Sequence, residues 1–234
     1  MFYFFFAFIF FFPTSNIFCD EQDFEKKIEE FILNNPKIIL QSLKNYSDSI
    51  AIKKTESDTS SSVEEYKEII LKESVTYIGN PDASKIVFEF FDYKCSYCLK
   101  AHMKIQEILE EDSDLKVILI NFPILTNQSE ELARLGIAIA LLSNKHFLKF
   151  HEFALKNSYS LKEKKIKEFF SLQQLNYEEI KKKSEEEYIY SILKKETQIA
   201  KKLNLSGTPA FIIGNDILTG WIGKSTFIKL INQQ

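Results

Sequence analysis

The chain has 234 residues, 45% of them hydrophobic and 27% charged, which is ordinary globular composition with length for one large domain or two small ones. Lys and Arg (30) against Asp and Glu (33) leave a net charge of −3 with no dominant basic stripe, which argues against a nucleic-acid partner. Three cysteines, Cys19, Cys95 and Cys98, are too few for a disulfide scaffold.

Residues 2–12 form an almost unbroken apolar run, mostly Phe, and the first charged side chain is Asp20. Such a run suits a signal-peptide core and falls short of the about 20 residues that a membrane span needs. The expectation is a signal peptide over 1–19 and an exported, periplasmic chain. An uncleaved membrane anchor and a lipid on Cys19 are the alternatives. All three put the remainder outside the cytosol, where disulfide chemistry is useful.

Residues 23–34 carry Phe24, Ile28, Phe31 and Ile32 at helical spacing, and Pro36 opens a second helix through Leu43. Together 20–54 reads as an N-terminal helical segment. The stretch 55–75 reads as a linker, starting with the polar TESDTSSS, and a short helix over 63–72.

Gly79-Asn80-Pro81-Asp82 is a turn. A strand follows over 86–91, apolar except for Glu89, then a helix from Cys95 to about Glu110. Residues 115–122 are β-branched and apolar, as expected of a strand buried on both faces. Helices are expected over 130–142, 145–155, 161–172 and, with breaks, 177–203. Thr208-Pro209 leads into a strand over 210–213. Gly214-Asn215 turns it back through Ile217 and Leu218, and Ser225 caps a last helix. Pro209 at a strand start suits an edge position. The order is that of an α/β sheet with a helical insertion.

The run Cys95-Ser96-Tyr97-Cys98 sits between a strand and a helix. Zinc needs a second ligand pair, and His102, His146 and His151 are not spaced as one, so no metal is expected. No cofactor is expected either. A helix N-terminus offers free N–H groups and a positive dipole end, which favour a thiolate at the outer cysteine, Cys95. Cys98, one turn in, is placed to resolve a mixed disulfide. An inert buried pair is the alternative. Glu89 stands among apolar neighbours; buried, it would have a raised pKa and could exchange a proton with Cys98, whereas at a strand end it would reach solvent. His102 and His151 lie on helical faces and read as packing or surface residues.

Four markers, GNPDA (79–83), FEFFDYKCSYC (88–98), NFPIL (121–125) and GTPAFIIG (207–214), make the chain from about Tyr77 onward resemble the DsbA-like thiol–disulfide oxidoreductases. The resemblance implies a thioredoxin fold over 76–234, with a helical insertion at about 126–203 and the N-terminal helical extension ahead of it. It implies a Cys95–Cys98 redox disulfide with Cys95 as nucleophile, Glu89 as the buried acid and Pro209 as a cis-proline facing the disulfide. Thr208, with Ser96 and Tyr97, would contact an extended substrate segment. The Ser96-Tyr97 dipeptide lacks the His of strongly oxidising relatives, so a less depressed Cys95 pKa is expected. Thr208 stands where simple oxidases usually carry Val and is typical of isomerase-like members.

FEKKIEEFILNNPKIILQSL (24–43) further resembles the N-terminal module of ScsC-like proteins, implying homo-oligomerisation through residues 23–43. The implied partners are unfolded or misfolded exported proteins with cysteines and a membrane redox partner. Formation and reshuffling of disulfides both stay open, as does an oligomeric isomerase or reductase. A non-catalytic thioredoxin-fold chaperone or surface antigen is the alternative from another class.

Overall fold

The computed structural model describes Lys27, residues 30–42, Lys44 and residues 60–234. The expected signal peptide, Cys19 and most of the linker lie outside these residues. The chain divides into two units, Met1–Ser47 and Asp48–Gln234. In the first, residues 30–34 and 36–42 are helical, and Asn35 Nδ2 donates to Phe31 O at 2.8 Å at the junction.

The second unit opens with α1 (Ser60–Glu73), followed by β1 (Tyr77–Gly79) and β2 (Lys85–Phe91). Helix α2 (Ser96–Glu111) leads to β3 (Leu115–Asn121). Five helices come next: α3 (Asn127–Ala140), α4 (Asn144–Lys156), α5 (Glu163–Leu172), α6 (Tyr177–Ser184) and α7 (Glu187–Lys202). Strands β4 (Ala210–Ile213) and β5 (Asp216–Thr219) precede α8 (Lys224–Ile231). The sheet order is β1-β3-β2-β4-β5. β2 and β3 run parallel with Glu89 opposite Leu119, and β4 pairs antiparallel to β2 with Phe211 opposite Glu89. This is a thioredoxin-type α/β fold.

Period-2 alternation sends the two faces of β2 into different cores. Val87 and Phe91 join Cys98, Ala101, Ile105 and Ile108 of α2 and the buried residues of α3 and α4. Phe88 and Phe90 join Ile118 and Ile120 of β3, Ile70 of α1 and Ile199 of α7. Each large apolar side chain so buried contributes about 1.5–3 kcal/mol. Glu89 shares the face of Val87 and Phe91 and therefore looks toward α2.

Local chemistry sets the helix starts. Thr126 and Ser129 satisfy each other's backbone N–H groups at the N-terminus of α3, and Asn176 accepts from Glu178 N and Glu179 N at α6. Gly79 has φ +88°, and a Cβ there would lie 2.3 Å from Leu115 O, so only glycine fits where β1 meets the start of β3.

Two sequence expectations are corrected, and one strand is added to them. Tyr77–Gly79 is a strand, too short to show a period. Ser225 is not the cap of the last helix; Gly223, with φ 88°, holds that position and Ser225 lies in the first turn. Pro209 does not mark an edge strand. β4 lies between β2 and β5, and Pro209 is tolerated because it stands just before the ladder, which begins with Phe90 opposite Ala210.

Candidate active site

β2, the central strand, ends at Phe91, and three residues carry the chain from its C-terminal end to Cys95. Cys95 is extended (φ −85°, ψ 115°) and forms the N-cap of α2 rather than its first residue. Its N–H donates to Asp92 O at 3.0 Å, and its carbonyl accepts from Leu99 N at 3.2 Å. The Sγ thus stands where the first-turn N–H groups of α2 are free. Cys95 Sγ donates to Thr208 O at 3.2 Å, and the Thr208–Pro209 peptide is cis. Cys98 is completely buried, one turn further in, and both cysteines are thiols.

The two thiols are pushed in opposite directions. Cys95 is lowered to about 5 by a hydrogen bond from Cys98, then by the Thr208 side chain and the N–H groups of Cys98 and Tyr97, all against the effect of burial. That lies between the about 7 of thioredoxin and about 3.5 of DsbA. Cys98 is pushed far above the usual thiol range by burial, by its hydrogen bond to Cys95 and by the charge of Glu89. Glu89 is 2% exposed, one carboxylate oxygen has no partner among the described residues, and burial followed by the charge of Cys95 raises its pKa to about 8. At neutral pH the site therefore favours a thiolate at Cys95 and protons on Cys98 and Glu89.

The residues preceding Cys95 tie neighbouring loops to it. Asp92 Oδ2 accepts from Ile124 N at 2.9 Å and Leu125 N at 3.0 Å, and Oδ1 accepts from Lys94 N at 2.7 Å. The NFPIL and FEFFDYKCSYC segments thus meet at one carboxylate. Lys94 Nζ donates to Gln128 Oε1 at 2.8 Å and to Ser158 O. Tyr93 is buried against Gly136, and its hydroxyl lies 3.3 Å from His151 Nδ1. His102 packs on His151 with ring centroids 5.0 Å apart, so both histidines belong to the core.

Glu89, Cys95, Cys98 and Thr208-Pro209 therefore converge on one site. Ser96 and Tyr97 form the first turn of α2; Tyr97 is exposed, with Lys100 Nζ 5.0 Å from its ring centroid. Sequence reasoning missed Asp92 as an anchor, although a carboxylate at the end of an apolar strand was the available signal. It also missed Glu196, which a regular run of Glu and Lys conceals. No group of three or more His, Cys, Asp or Glu among the described residues could hold a metal ion.

A family model described as thioredoxin matches residues 71–233. The chain belongs to the thioredoxin family. Among solved structures, this family member is similar to the thiol-disulfide exchange protein alpha-DsbA2 of Wolbachia pipientis, at TM-score 0.67 and 21% identity over 82% of this chain and 97% of that one. It is similar to Proteus mirabilis ScsC in a transitional conformation, at TM-score 0.65 and 19% identity over 91% and 95%. A periplasmic thioredoxin-like protein of Salmonella enterica serovar Typhimurium matches at TM-score 0.61 and 22% identity over 68% and 88%. These likenesses place the thioredoxin-family chain among DsbA-like folds. No curated protein sequence matches it.

Proposed function

We propose that this thioredoxin-family protein is an exported thiol–disulfide oxidoreductase that forms or reshuffles disulfides in secreted proteins through Cys95 and Cys98. The observation that carries this reading is the split between the two thiols, a Cys95 that favours the thiolate and keeps 7% of its surface exposed above a protonated, fully buried Cys98. When the pair is oxidised, a client thiolate attacks Cys95 Sγ, and Cys98 leaves with the S–S electron pair and takes the proton of Glu89. A second client thiolate then attacks its own sulfur in the mixed disulfide, and Cys95 leaves as the stabilised thiolate. The client is oxidised and the pair reduced. A low leaving-group pKa speeds that last step and favours the reduced pair, which makes the couple more oxidising.

Run in reverse, Cys95 thiolate attacks a client disulfide. Its charge is then lost in the mixed disulfide, which removes one of the two causes that raise Glu89. The acid ionises more readily and accepts the Cys98 proton as Cys98 attacks Cys95 Sγ and the client sulfur leaves as a thiolate, which reduces the client disulfide. Reshuffling needs only the first attack: the client thiolate it frees opens another client disulfide, and the thiolate released there displaces Cys95, an activity that Thr208 favours. Recovery of activity from reduced and from scrambled ribonuclease, measured side by side, tests the proposal. Activity in neither assay would refute it in favour of the non-catalytic reading.

Export rests on the apolar start and on the periplasmic relative. No helix among the described residues is long and apolar enough to cross a membrane. Oligomerisation through 23–43 rests on the exposed Phe31, Leu33, Ile38 and Leu40 and is tested by sedimentation of the full chain. Reoxidation is assigned to a membrane redox partner.

Two measurements probe the titrations. Alkylation of the reduced protein is expected to show one fast thiol with a midpoint near pH 5 and a second that stays unreactive through pH 9. A midpoint above pH 8 would contradict the arrangement. For Glu89, the unfolded carboxyl ionises near 4.5 and the folded one near 8. Between those values the folded state binds more protons, so stability falls as pH rises. Glu89→Gln removes that loss and is expected to stabilise the reduced protein by about 1–3 kcal/mol at pH 8, with little effect at pH 4, while slowing exchange. Denaturant melts at the two pH values check this.

A further inference from the structure

Asp92 follows the last residue of β2 and is 2% exposed. A buried carboxylate is costly unless hydrogen bonds replace the water it gives up. Here three backbone N–H groups do so: Lys94 on Oδ1 at 2.7 Å, and Ile124 and Leu125 on Oδ2 at 2.9 and 3.0 Å. All three partners are donors, so the position calls for a side chain that only accepts. An asparagine there would turn its NH₂ toward one of these N–H groups. Another buried acid, Glu196 of α7, accepts on Oε2 from Asn121 N at 3.1 Å and Nδ2 at 2.9 Å and ties its helix to the end of β3.

What sets Asp92 apart is where its backbone points. Its carbonyl accepts from Cys95 N at 3.0 Å. Its N–H donates to Cys98 Sγ and favours a thiolate there, against the burial that pushes this thiol up. The bond from Lys94 N fixes the side chain against its own backbone, and the bonds from Ile124 and Leu125 fix it against a second loop. Held at both ends, the residue keeps its N–H on the sulfur. Cys98 carries thiolate charge at two moments, when it leaves the disulfide and when it attacks the mixed disulfide. A donor fixed in advance at the atom where charge develops lowers the barrier without reorganisation. We propose that Asp92 is a positioning residue for exchange, whose gripped carboxylate keeps its own N–H on Cys98 Sγ in both steps. The groups that hold charge on Cys95 are different ones, Cys98, Thr208 and the N–H groups of Cys98 and Tyr97, so the first attack on a disulfide does not depend on Asp92. The role rests on the exchange reading and divides the work on Cys98: Glu89 takes its proton, and the Asp92 N–H receives its charge.

Glutathione disulfide, mixed rapidly with the reduced full chain, separates the steps. Cys95 thiolate attacks one sulfur and frees one glutathione thiolate. Cys98 then passes its proton to Glu89 and attacks Cys95 Sγ, and the second glutathione leaves with the S–S electron pair. Asp92→Asn is expected to lower the melting temperature and to slow this ring closure about tenfold or more, the loss of one hydrogen bond to a charged group, while the first step changes by less than about twofold. Asn176→Ala removes the cap of α6 and is the control for lost stability alone; it should lower the melting temperature and slow neither step. The proposal is overturned if folded Asp92→Asn closes the ring at the parent's rate, if both steps slow alike, or if Asn176→Ala slows closure as much. Should Asp92→Asn fail to fold, the Asp92 amide decides. Its proton should move upfield when Cys98→Ala removes the sulfur, and an unmoved proton overturns the proposal. A parent that does not react with glutathione disulfide at all refutes the exchange reading and this role with it, whereas a reactive parent with closure intact in Asp92→Asn refutes the role alone.

Discussion

Cys95→Ser is expected to abolish thiol–disulfide exchange, lowering the rate with reduced ribonuclease by a factor of roughly 10³ or more. A hydroxyl does not ionise in this range and forms no disulfide, so the stabilising groups around position 95 have no anion to hold. Cys98→Ala has a different signature. The nucleophile survives, the first attack on a client disulfide proceeds, and nothing resolves the product. Mixed disulfides should accumulate as adducts on non-reducing gels that dithiothreitol dissolves. Because the hydrogen bond from Cys98 is the largest cause of the low Cys95 pKa, its loss should also move the alkylation midpoint of Cys95 upward. If Cys95→Ser leaves client protection intact, the protein acts as a binder and the chemistry proposed for it is wrong.

Gly79→Ala carries the largest expected effect on stability. A Cβ at this position meets Leu115 O at 2.3 Å and Leu109 Cδ2 at 2.7 Å, while φ is +88°. The left-handed conformation alone costs an L-residue about 1–2 kcal/mol. The clash is with backbone, which no rotamer change relieves, and opening it strains the hydrogen bond from Asn80 N to Leu115 O at 3.0 Å. The sum is about 3 kcal/mol, or roughly 6–12 °C in melting temperature for a chain of this size. Gly214→Ala is the matched control. It has φ +60° with nothing within 4 Å of a Cβ, so only the conformational cost applies. Equal losses at the two positions would show that the contact at Leu115 does not matter.

Strong periodicities and punctuation made much of this protein legible. The run over 115–122 reads as a doubly buried strand because it is one. Cys95 and Cys98 announce themselves by spacing and by following an apolar strand, and Glu89 is visible because it interrupts that strand. Three residues of β1 carry too little pattern to be seen. The cap of α8 was misassigned because Ser225 has the right side chain while Gly223 has the right backbone. The strand position of Pro209 was misread because local sequence does not say which strands flank it. The Asp92 anchor and the Asn121–Glu196 pair join segments 32 and 75 residues apart, and no local window contains both partners.

The turn carrying the nucleophile is also a keystone. Asp92 and Lys94 clasp the loops at Ile124–Leu125 and Ser158, so the reactive corner and the framework around it are pinned by the same few atoms. A change at Asp92 cannot loosen one without the other. Reactivity and structural order are thus inherited together at this corner, and a variant that kept the fold but detuned the thiol would have to be sought elsewhere, inside the Cys95–Cys98 ring itself.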